Sequence, residues 1–246
     1  MLTAQSKSYL SFIRTLPIKP QYSKQDLLIE DLLIAREGQL EMYYAPHNEY
    51  INPLSKIVLV GITPGWTQME LAYRTASQSL HRGDTFEEAC KSAKIAARFA
   101  GSMRTNIINM LAELGVSHYF EIERASDLFE AKGTLLHTTS LLRHPVFVAK
   151  QNYNGHLPSL MNSQFLYKRI SESFPQEISM LDEPLIIPLG KSVEKVLRQL
   201  VNQNKIIAGN YLWGFPHPSG ANGHRLKQFE TAKPEMIRTL RHLANR

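Results

Sequence analysis

Two short loops carry the residues whose types and spacing could support chemistry. The first is Gly61-Ile62-Thr63-Pro64-Gly65-Trp66, which follows the uninterrupted apolar run 57–60. Such a run is typical of a buried parallel strand, and ligands collect at the carboxyl ends of these strands. Its two glycines allow a sharp turn and a close approach to a ligand, and Thr67 could cap a helix whose free N–H groups suit an anion. The alternative is a strand-to-helix turn that binds nothing.

The second loop contains Phe215-Pro216-His217-Pro218-Ser219 and continues through a glycine-rich stretch to Arg225. Prolines stiffen the backbone on both sides of His217, so a neutral imidazole there could donate a hydrogen bond from a fixed place. Ser219 and the backbone amides of 220–223 are suited to phosphate oxygens. The alternatives are a histidine that only holds the turn and a glycine-rich segment that is simply flexible.

Together the two loops resemble the signatures of the uracil-DNA glycosylase superfamily, an early Gly-x-x-Pro-Gly loop and a late His-Pro-Ser loop. Two stretches between them are also similar: Arg98-Phe99-Ala100-Gly101 followed by 109–115, and 184–192. The similarity covers roughly residues 56–243 in the expected order, which is more specific than either loop alone. It implies hydrolysis of the N-glycosidic bond of a flipped base in DNA, which leaves an abasic site. Neither loop contains a lysine nucleophile, so we expect a monofunctional enzyme.

The resemblance also implies a role for each site residue. His217 would stabilise the departing base by donating a hydrogen bond to the pyrimidine O2 as negative charge develops. Phe99 would stack on the flipped base, whereas the alternative is a core phenylalanine. We expect catalytic roles for His217 and Thr63, base binding by Ile62, Gly65, Trp66, Phe99 and His137, and DNA binding by Ser219, Gly220, Asn222, His224 and Arg225.

Three positions depart from the family pattern. Thr63 stands where many relatives have an acidic or amide residue that orients water, and threonine cannot act as a carboxylate base, so it at most positions water. His137 stands where relatives have the asparagine that reads uracil; the alternative is a strand-end histidine bonded to the backbone. Gly65 replaces a tyrosine that excludes 5-substituted pyrimidines, so the pocket is predicted to admit them unless Trp66 fills the space.

Charge and cysteine content narrow the partners. The formal charge is +6, and from residue 201 onward seven basic residues face two acidic ones, which favours an anionic partner such as DNA. A solvated helix is the alternative for Arg238 and Arg241. A single cysteine, Cys90, excludes intramolecular disulfides and a four-cysteine iron–sulfur cluster. The histidines lack metal-ligand spacing, so we expect no metal and no cofactor. No stretch reaches membrane-spanning length or resembles a cleaved leader, and we expect a cytoplasmic monomer.

The elements around the loops predict an α/β fold. Strands near 57–60, 134–139, 184–189 and 211–215 alternate with amphipathic helices, which is typical of a parallel sheet. The resemblance implies a three-layer α/β/α sandwich with a central four-stranded parallel sheet of order 2-1-3-4. We expect one domain over residues 1–246, with 1–50 as an N-terminal helical extension packed on the core. Further predictions are a helix over 27–34, a capping box at Thr85–Glu88, a helix stop at Gly115 and a last helix opened by Pro234.

These observations leave several functions open. The first is a metal-independent DNA glycosylase for uracil or a 5-modified pyrimidine, in base excision repair or in antiviral defence against phage DNA with modified cytosine. The second is a catalytically inactive nucleic-acid-binding protein of the same fold, which Thr63 and His137 favour. A hydrolase of free nucleosides is disfavoured by the basic loop and tail. Fold alone does not choose between them.

Overall fold

The computed structural model describes residues 2–244, so Arg246 of the basic tail lies outside the described residues. α-Helices cover Ala4–Thr15 (α1), Lys24–Leu27 (α2), Trp66–His81 (α3), Phe86–Ala97 (α4), Ser102–Glu113 (α5), Val116–Tyr119 (α6), Gln164–Ile178 (α7), Lys191–Asn202 (α8) and Arg225–Ala244 (α9). Strands cover Leu33–Glu37 (β1), Leu40–Tyr43 (β2), Ile57–Gly61 (β3), Leu136–Ser140 (β4), Val146–Val148 (β5), Gln151–Asn152 (β6) and Leu185–Pro188 (β7). Short 3-10 turns cover Glu30–Leu32, Pro46–Glu49, Ala125–Phe129 and Gly133–Leu135.

The chain divides into two compact units, each built from separate stretches of sequence. The first unit comprises Met1–Ile51, Thr63–Ala100 and Leu142–Leu157. The second unit comprises Asn52–Ile62, Gly101–Leu141 and Pro158–Arg246. Each unit contains its own β-sheet.

An antiparallel sheet of order β1-β2-β5-β6 lies in the first unit. It corrects the prediction of a helix over 27–34, because helix α2 ends at Leu27 and β1 begins at Leu33. Pairing of β1 with β2 in the register Arg36↔Glu41 satisfies the backbone of this segment, and such tertiary pairing overrides local helical spacing. The N-terminal extension is therefore not purely helical.

Helices α1, α3 and α4 bury one apolar core in the first unit. Leu10 of α1 and Tyr73 of α3 are fully buried there, and the alanines of α4 at 89, 93 and 97 recur on one face. Small side chains at this spacing let helices approach each other closely. The predicted capping box begins α4: the Thr85 hydroxyl accepts the Glu88 N–H at 3.3 Å, and the Glu88 carboxylate accepts the Thr85 N–H at 2.8 Å.

The second unit contains the parallel sheet, whose order is β4-β3-β7. The buried strand β3 lies in the middle, as its apolar run predicts, and this agrees with the first three places of the 2-1-3-4 order. The predicted fourth strand is reduced to one parallel bridge between Ile186 and Tyr211, so a four-stranded sheet is not confirmed. Gly214, with φ of 89°, and Pro216, which lacks an N–H, do not continue a ladder beyond it.

Two helix boundaries were predicted in the second unit, the end of α5 and the beginning of α9, and only the first is confirmed. Helix α5 ends before Gly115, whose φ of 74° is left-handed, so the predicted helix stop is confirmed. The prediction that Pro234 opens the last helix is wrong, because α9 begins at Arg225 and contains Pro234 in its interior. There the proline removes one helical hydrogen bond, at a position where nine preceding residues are already helical.

Candidate active site

The first loop is held by the β5–β6 hairpin within the first unit. The Thr63 hydroxyl donates to the His144 carbonyl at 3.0 Å and accepts the Val146 N–H at 3.0 Å. A hydroxyl has one proton and two lone pairs. Its proton is therefore used by His144, and one lone pair remains with which Thr63 could orient a water molecule.

Gly65 and Trp66 meet the same hairpin at Asn152. Helix α3 begins at Trp66, not after Thr67 as predicted, and the Trp66 N–H donates to Asn152 Oδ1 at 2.9 Å. Gly65 has no side chain with which to cap the helix, so a residue distant in sequence supplies the oxygen. The Trp66 side chain packs against the apolar core of the first unit. Asn152 was missed by the sequence analysis, because it lies 86 positions from Trp66 and carries no motif.

Phe99 lies in a strained turn between α4 and α5. Its φ is 47°, a conformation that costs a residue with a Cβ of order 1–3 kcal/mol. The side chain is 4% exposed. Burial agrees with a core phenylalanine, whereas strain of this kind is concentrated at functional sites. Both interpretations of Phe99 therefore stay open, and its stacking on a base stays a prediction.

His217 is held by the turn that follows it in the second unit. The Ser219 N–H donates to His217 Nδ1 at 3.4 Å. A backbone N–H can only donate, so Nδ1 acts as an acceptor and the proton of a neutral imidazole lies on Nε2. The half-buried ring can therefore act as a hydrogen-bond donor through Nε2.

Gly190, at the amino end of α8, packs directly against His217. Its φ is 96°, and its N–H donates to the Phe215 carbonyl at 2.9 Å. A Cβ on Gly190 would lie 2.9 Å from the His217 Cβ and 3.3 Å from the His217 nitrogen. Both the backbone angle and this close approach require glycine.

Side chains close the rest of the second loop. Asn106 donates to the Pro218 carbonyl at 2.8 Å, Asn222 to the His217 carbonyl at 3.1 Å, and Arg225 to the Ser219 carbonyl at 3.0 Å. The Ser219 hydroxyl accepts the Ala221 N–H at 3.2 Å. Asn222 and Arg225 thus shape the loop in this structure, and their contact with DNA stays a prediction. Gly220 and His224, also predicted to contact DNA, are exposed.

His137 lies in the second unit, near the amino end of its strand. It pairs with Val58 near the amino ends of β4 and β3, three residues before the carboxyl end of β4 at Ser140. Its side chain is fully buried, and Nε2 lies 2.8 Å from Glu177 Oε1 on α7. This partner is a carboxylate, not the backbone group suggested by the sequence. The geometry therefore favours a structural role, and base binding by His137 stays a prediction.

Two further apolar residues belong to these regions: Ile62 lies in the first loop, and Leu226 directly follows the second. Ile62 is half-buried directly after β3, where its predicted base contact is not tested. Leu226 is 69% exposed in the first turn of α9, directly after Arg225. A large apolar side chain in this position was missed by the sequence analysis, whose only signal would have been an isolated leucine beside a glycine-rich loop.

Ion pairs neutralise part of the basic tail. Lys233 pairs with Glu113 at 2.6 Å, and Arg238 pairs with Glu235. Among residues 2–244, Lys227 and Arg241 form no ion pair and are exposed. In the same part of the chain, His, Cys, Asp and Glu side chains form no group of three or more that could hold a metal ion, and no helix is long and apolar enough to cross a membrane.

Comparison with known proteins gives three findings. A family model described as the uracil DNA glycosylase superfamily matches residues 49–241. The uncharacterized protein YoxB of Bacillus subtilis (strain 168) is 44% identical over 223 residues, which cover 90% of this chain and 87% of that protein. The crystal structure of wild-type Pedobacter heparinus SMUG2 aligns over the full length of both chains at 14% identity, with a TM-score of 0.49.

Proposed function

Because the chain belongs to the uracil DNA glycosylase superfamily, we propose that it is a monofunctional DNA glycosylase for uracil or a 5-modified pyrimidine. In this reaction the bond between the sugar C1′ and the base nitrogen breaks, and its electron pair leaves with the base. Water then adds to C1′ and loses a proton to solvent, and the departed base anion takes up a proton, which leaves an abasic site and the free base. The matched range includes segments of both compact units, which supports one glycosylase domain.

The observation that carries this proposal is the acceptor role of His217 Nδ1 towards the Ser219 N–H. It leaves Nε2 as the protonated nitrogen of a neutral ring. A neutral donor held in advance can stabilise the developing anion at the pyrimidine O2 without moving at the moment of reaction. His217 is therefore the proposed electrostatic catalyst.

Thr63 has a smaller part in the proposed reaction. Its hydroxyl donates a hydrogen bond to the His144 carbonyl, so towards a water molecule it can act only as an acceptor, through its remaining lone pair. No carboxylate stands at this position to remove a proton. We therefore propose that the glycosidic bond breaks largely before water attacks, which makes stabilisation of the leaving base the dominant effect.

The surface near the second loop suits DNA. Exposed Lys227, two residues after Arg225, supplies positive charge, which attracts phosphates. Leu226, 69% exposed after the loop, is suited to fill the gap that a flipped nucleotide leaves in the base stack. Apolar wedges of this kind hold unstacked base steps open.

A panel of oligonucleotides, each with one modified base, tests the proposal. The wild-type protein should produce abasic sites, detected as strand breaks after alkali, with at least one of uracil, 5-hydroxymethyluracil, thymine opposite guanine and glucosylated 5-hydroxymethylcytosine. Excision of uracil would favour a role in repair, whereas excision of glucosylated cytosine alone would favour antiviral defence. A preparation purified in the same way from cells that do not produce the protein is the control for a contaminating glycosylase.

The second candidate is a nucleic-acid-binding protein of the same family without catalysis. It is favoured by the hydrogen bonds that engage the Thr63 hydroxyl and by the burial of His137 against Glu177. Salt-sensitive DNA binding without an abasic product from any base in the panel would select this candidate.

A further inference from the structure

The carboxamide of Asn152 has a fixed orientation beside the first loop. It accepts the Trp66 N–H at 2.9 Å, and because a backbone N–H only donates, the accepting atom must be the oxygen. Nδ2 is consequently the group's remaining donor. Nδ2 lies 3.5 Å from the place that a Cβ on Gly65 would occupy, and the oxygen lies 3.8 Å from it. A Cβ on Gly65 would be in ordinary van der Waals contact with this amide, so the amide lies directly beside residue 65.

The turn that precedes Asn152 has a strained backbone conformation. Ala149 and Lys150 have φ of 47° and 62°, which non-glycine residues adopt at a cost. Lys150 Nζ lies 2.7 Å from Glu41 Oε2 and 2.5 Å from the Tyr43 hydroxyl. Lys24 donates to the Lys150 carbonyl at 2.8 Å. These contacts give a two-residue strand at the sheet edge a defined place.

We propose that Asn152 is the residue that reads the oxygen-bearing edge of the target base. This inference rests on the proposed glycosylase function, in which Gly65 and Trp66 bind the base. Nδ2 would donate to O4 of a uracil-type pyrimidine, or to the hydroxyl of a 5-hydroxymethyl group beside it. Cytosine presents an amino donor at C4, which an amide donor repels. The substrate class is therefore the 4-oxo pyrimidines, including those with a polar 5-substituent.

The first loop contains no asparagine or glutamine of its own, so in this assignment the side-chain amide comes from Asn152. His137, the predicted reader of the base, is buried and directs Nε2 to Glu177. Asn152 is exposed and offers both a carbonyl and an amino group, of which the carbonyl is used by Trp66. Its position explains why a glycine at 65 need not mean an open, unselective pocket.

Asn152→Asp separates base reading from helix capping. Aspartate keeps an oxygen for the Trp66 N–H and is a good partner for a helix amino end, but it replaces the amino donor with an acceptor. Single-turnover excision of uracil should fall about ten- to hundredfold, because the donor–acceptor pair between residue 152 and the base becomes an acceptor–acceptor pair. The melting temperature should stay unchanged. The ratio of uracil to cytosine excision should narrow, which a purely structural defect would not cause.

Gln151→Glu is the matched control, since it makes the same charge change at the exposed neighbouring strand position. It should leave the excision rate and the base ratio unchanged. Equal rates for wild type, Asn152→Asp and Gln151→Glu would overturn the assignment. So would a loss of activity in Asn152→Asp with a lowered melting temperature and an unchanged base ratio. A wild-type protein that excises no base in the panel would instead refute the proposed function, and this inference with it.

Discussion

The Cβ of His217 lies 2.9 Å from the place that a Cβ on Gly190 would occupy. Gly190 follows β7, and His217 belongs to the loop after Tyr211. These two segments of the second unit approach closely because residue 190 has no side chain. The position of the proposed catalytic ring is thus determined partly by a residue with no side chain.

Gly190→Ala should therefore displace His217 and slow base excision. The φ of 96° adds strain of about 1–3 kcal/mol, and a displacement of the ring by about 1 Å could lower the rate by up to about 10²-fold. Gly115→Ala is a suitable control, because its φ of 74° adds comparable strain while no atom lies within 4 Å of its Cβ position. Melting temperatures and single-turnover rates would be measured for both. Similar rates in the two variants would contradict the positioning role.

His217→Ala should slow excision strongly while the protein stays folded and binds DNA. Loss of one preorganised donor costs on the order of 10²–10³-fold in rate. DNA affinity should change little, because the ring acts mainly on charge that develops during the reaction. The measurements are single-turnover rates and binding to an oligonucleotide with the target base. An unchanged rate would remove His217 from the mechanism.

Leu226→Ala should reduce excision from duplex DNA by roughly tenfold, because unstacking costs a few kcal/mol per base step and the leucine would offset part of that cost. A single-stranded oligonucleotide has no duplex gap to fill, so its excision rate should change little. Leu54→Ala serves as a control, because Leu54 is also 69% exposed in the second unit. A loss of the same size on both kinds of substrate would show that Leu226 is not a wedge.

Gly65→Ala and Gly65→Tyr test the space beside Asn152. The φ of Gly65 is −88°, which any residue can adopt, and a Cβ would make ordinary contact with Asn152 at 3.5 Å. Alanine should therefore change stability by no more than about 0.5 kcal/mol and retain activity. Tyrosine should suppress excision of 5-hydroxymethyluracil more than that of uracil, as rates on the two bases would show. Equal suppression would mean that the C5 side of the base lies elsewhere.

His137→Ala should destabilise the protein and leave its base preference unaltered. Removing one partner of a buried pair leaves the Glu177 carboxyl group without this hydrogen bond, and the free energy of unfolding should fall by about 3–5 kcal/mol. Denaturant titration gives the stability, and the ratio of uracil to 5-hydroxymethyluracil excision gives the preference. A changed ratio at unchanged stability would restore the base-reading role that the sequence suggested.

Local sequence predicts those features whose causes are local. The apolar run of β3, the capping box at Thr85 and the left-handed stop at Gly115 each depend on neighbouring residues. The antiparallel sheet does not, because Leu33 and Ile34 at the start of β1 continue a helical spacing in the sequence. Only the pairing of β1 with β2, and of β2 with β5, makes this segment part of a sheet. For the same reason the resemblance indicates the two loops, but not the hairpin that holds the first of them.

Among the site residues, sequence indicates chemical type better than orientation. The imidazole of His217 is evident in the motif, whereas its tautomer depends on the Ser219 N–H. His137 illustrates the limit, because its carboxylate partner lies 40 positions away on α7. Asn152 could not be found by any motif, since only the fold brings it beside Gly65 and to the N–H of Trp66.

The hydrogen bond from Asn106 to the Pro218 carbonyl joins residues 112 positions apart in the chain. Contacts between such distant residues close a long loop of chain. They form late in folding, because the chain loses conformational entropy on closing the loop before the contact contributes any stabilisation. The His217 loop has no strand or helix to bring it into shape earlier. A partly folded chain, with its helices already formed, should therefore be inactive until the His217 loop closes against Asn106 of α5. In folding experiments, catalytic activity should accordingly recover after most of the helical signal.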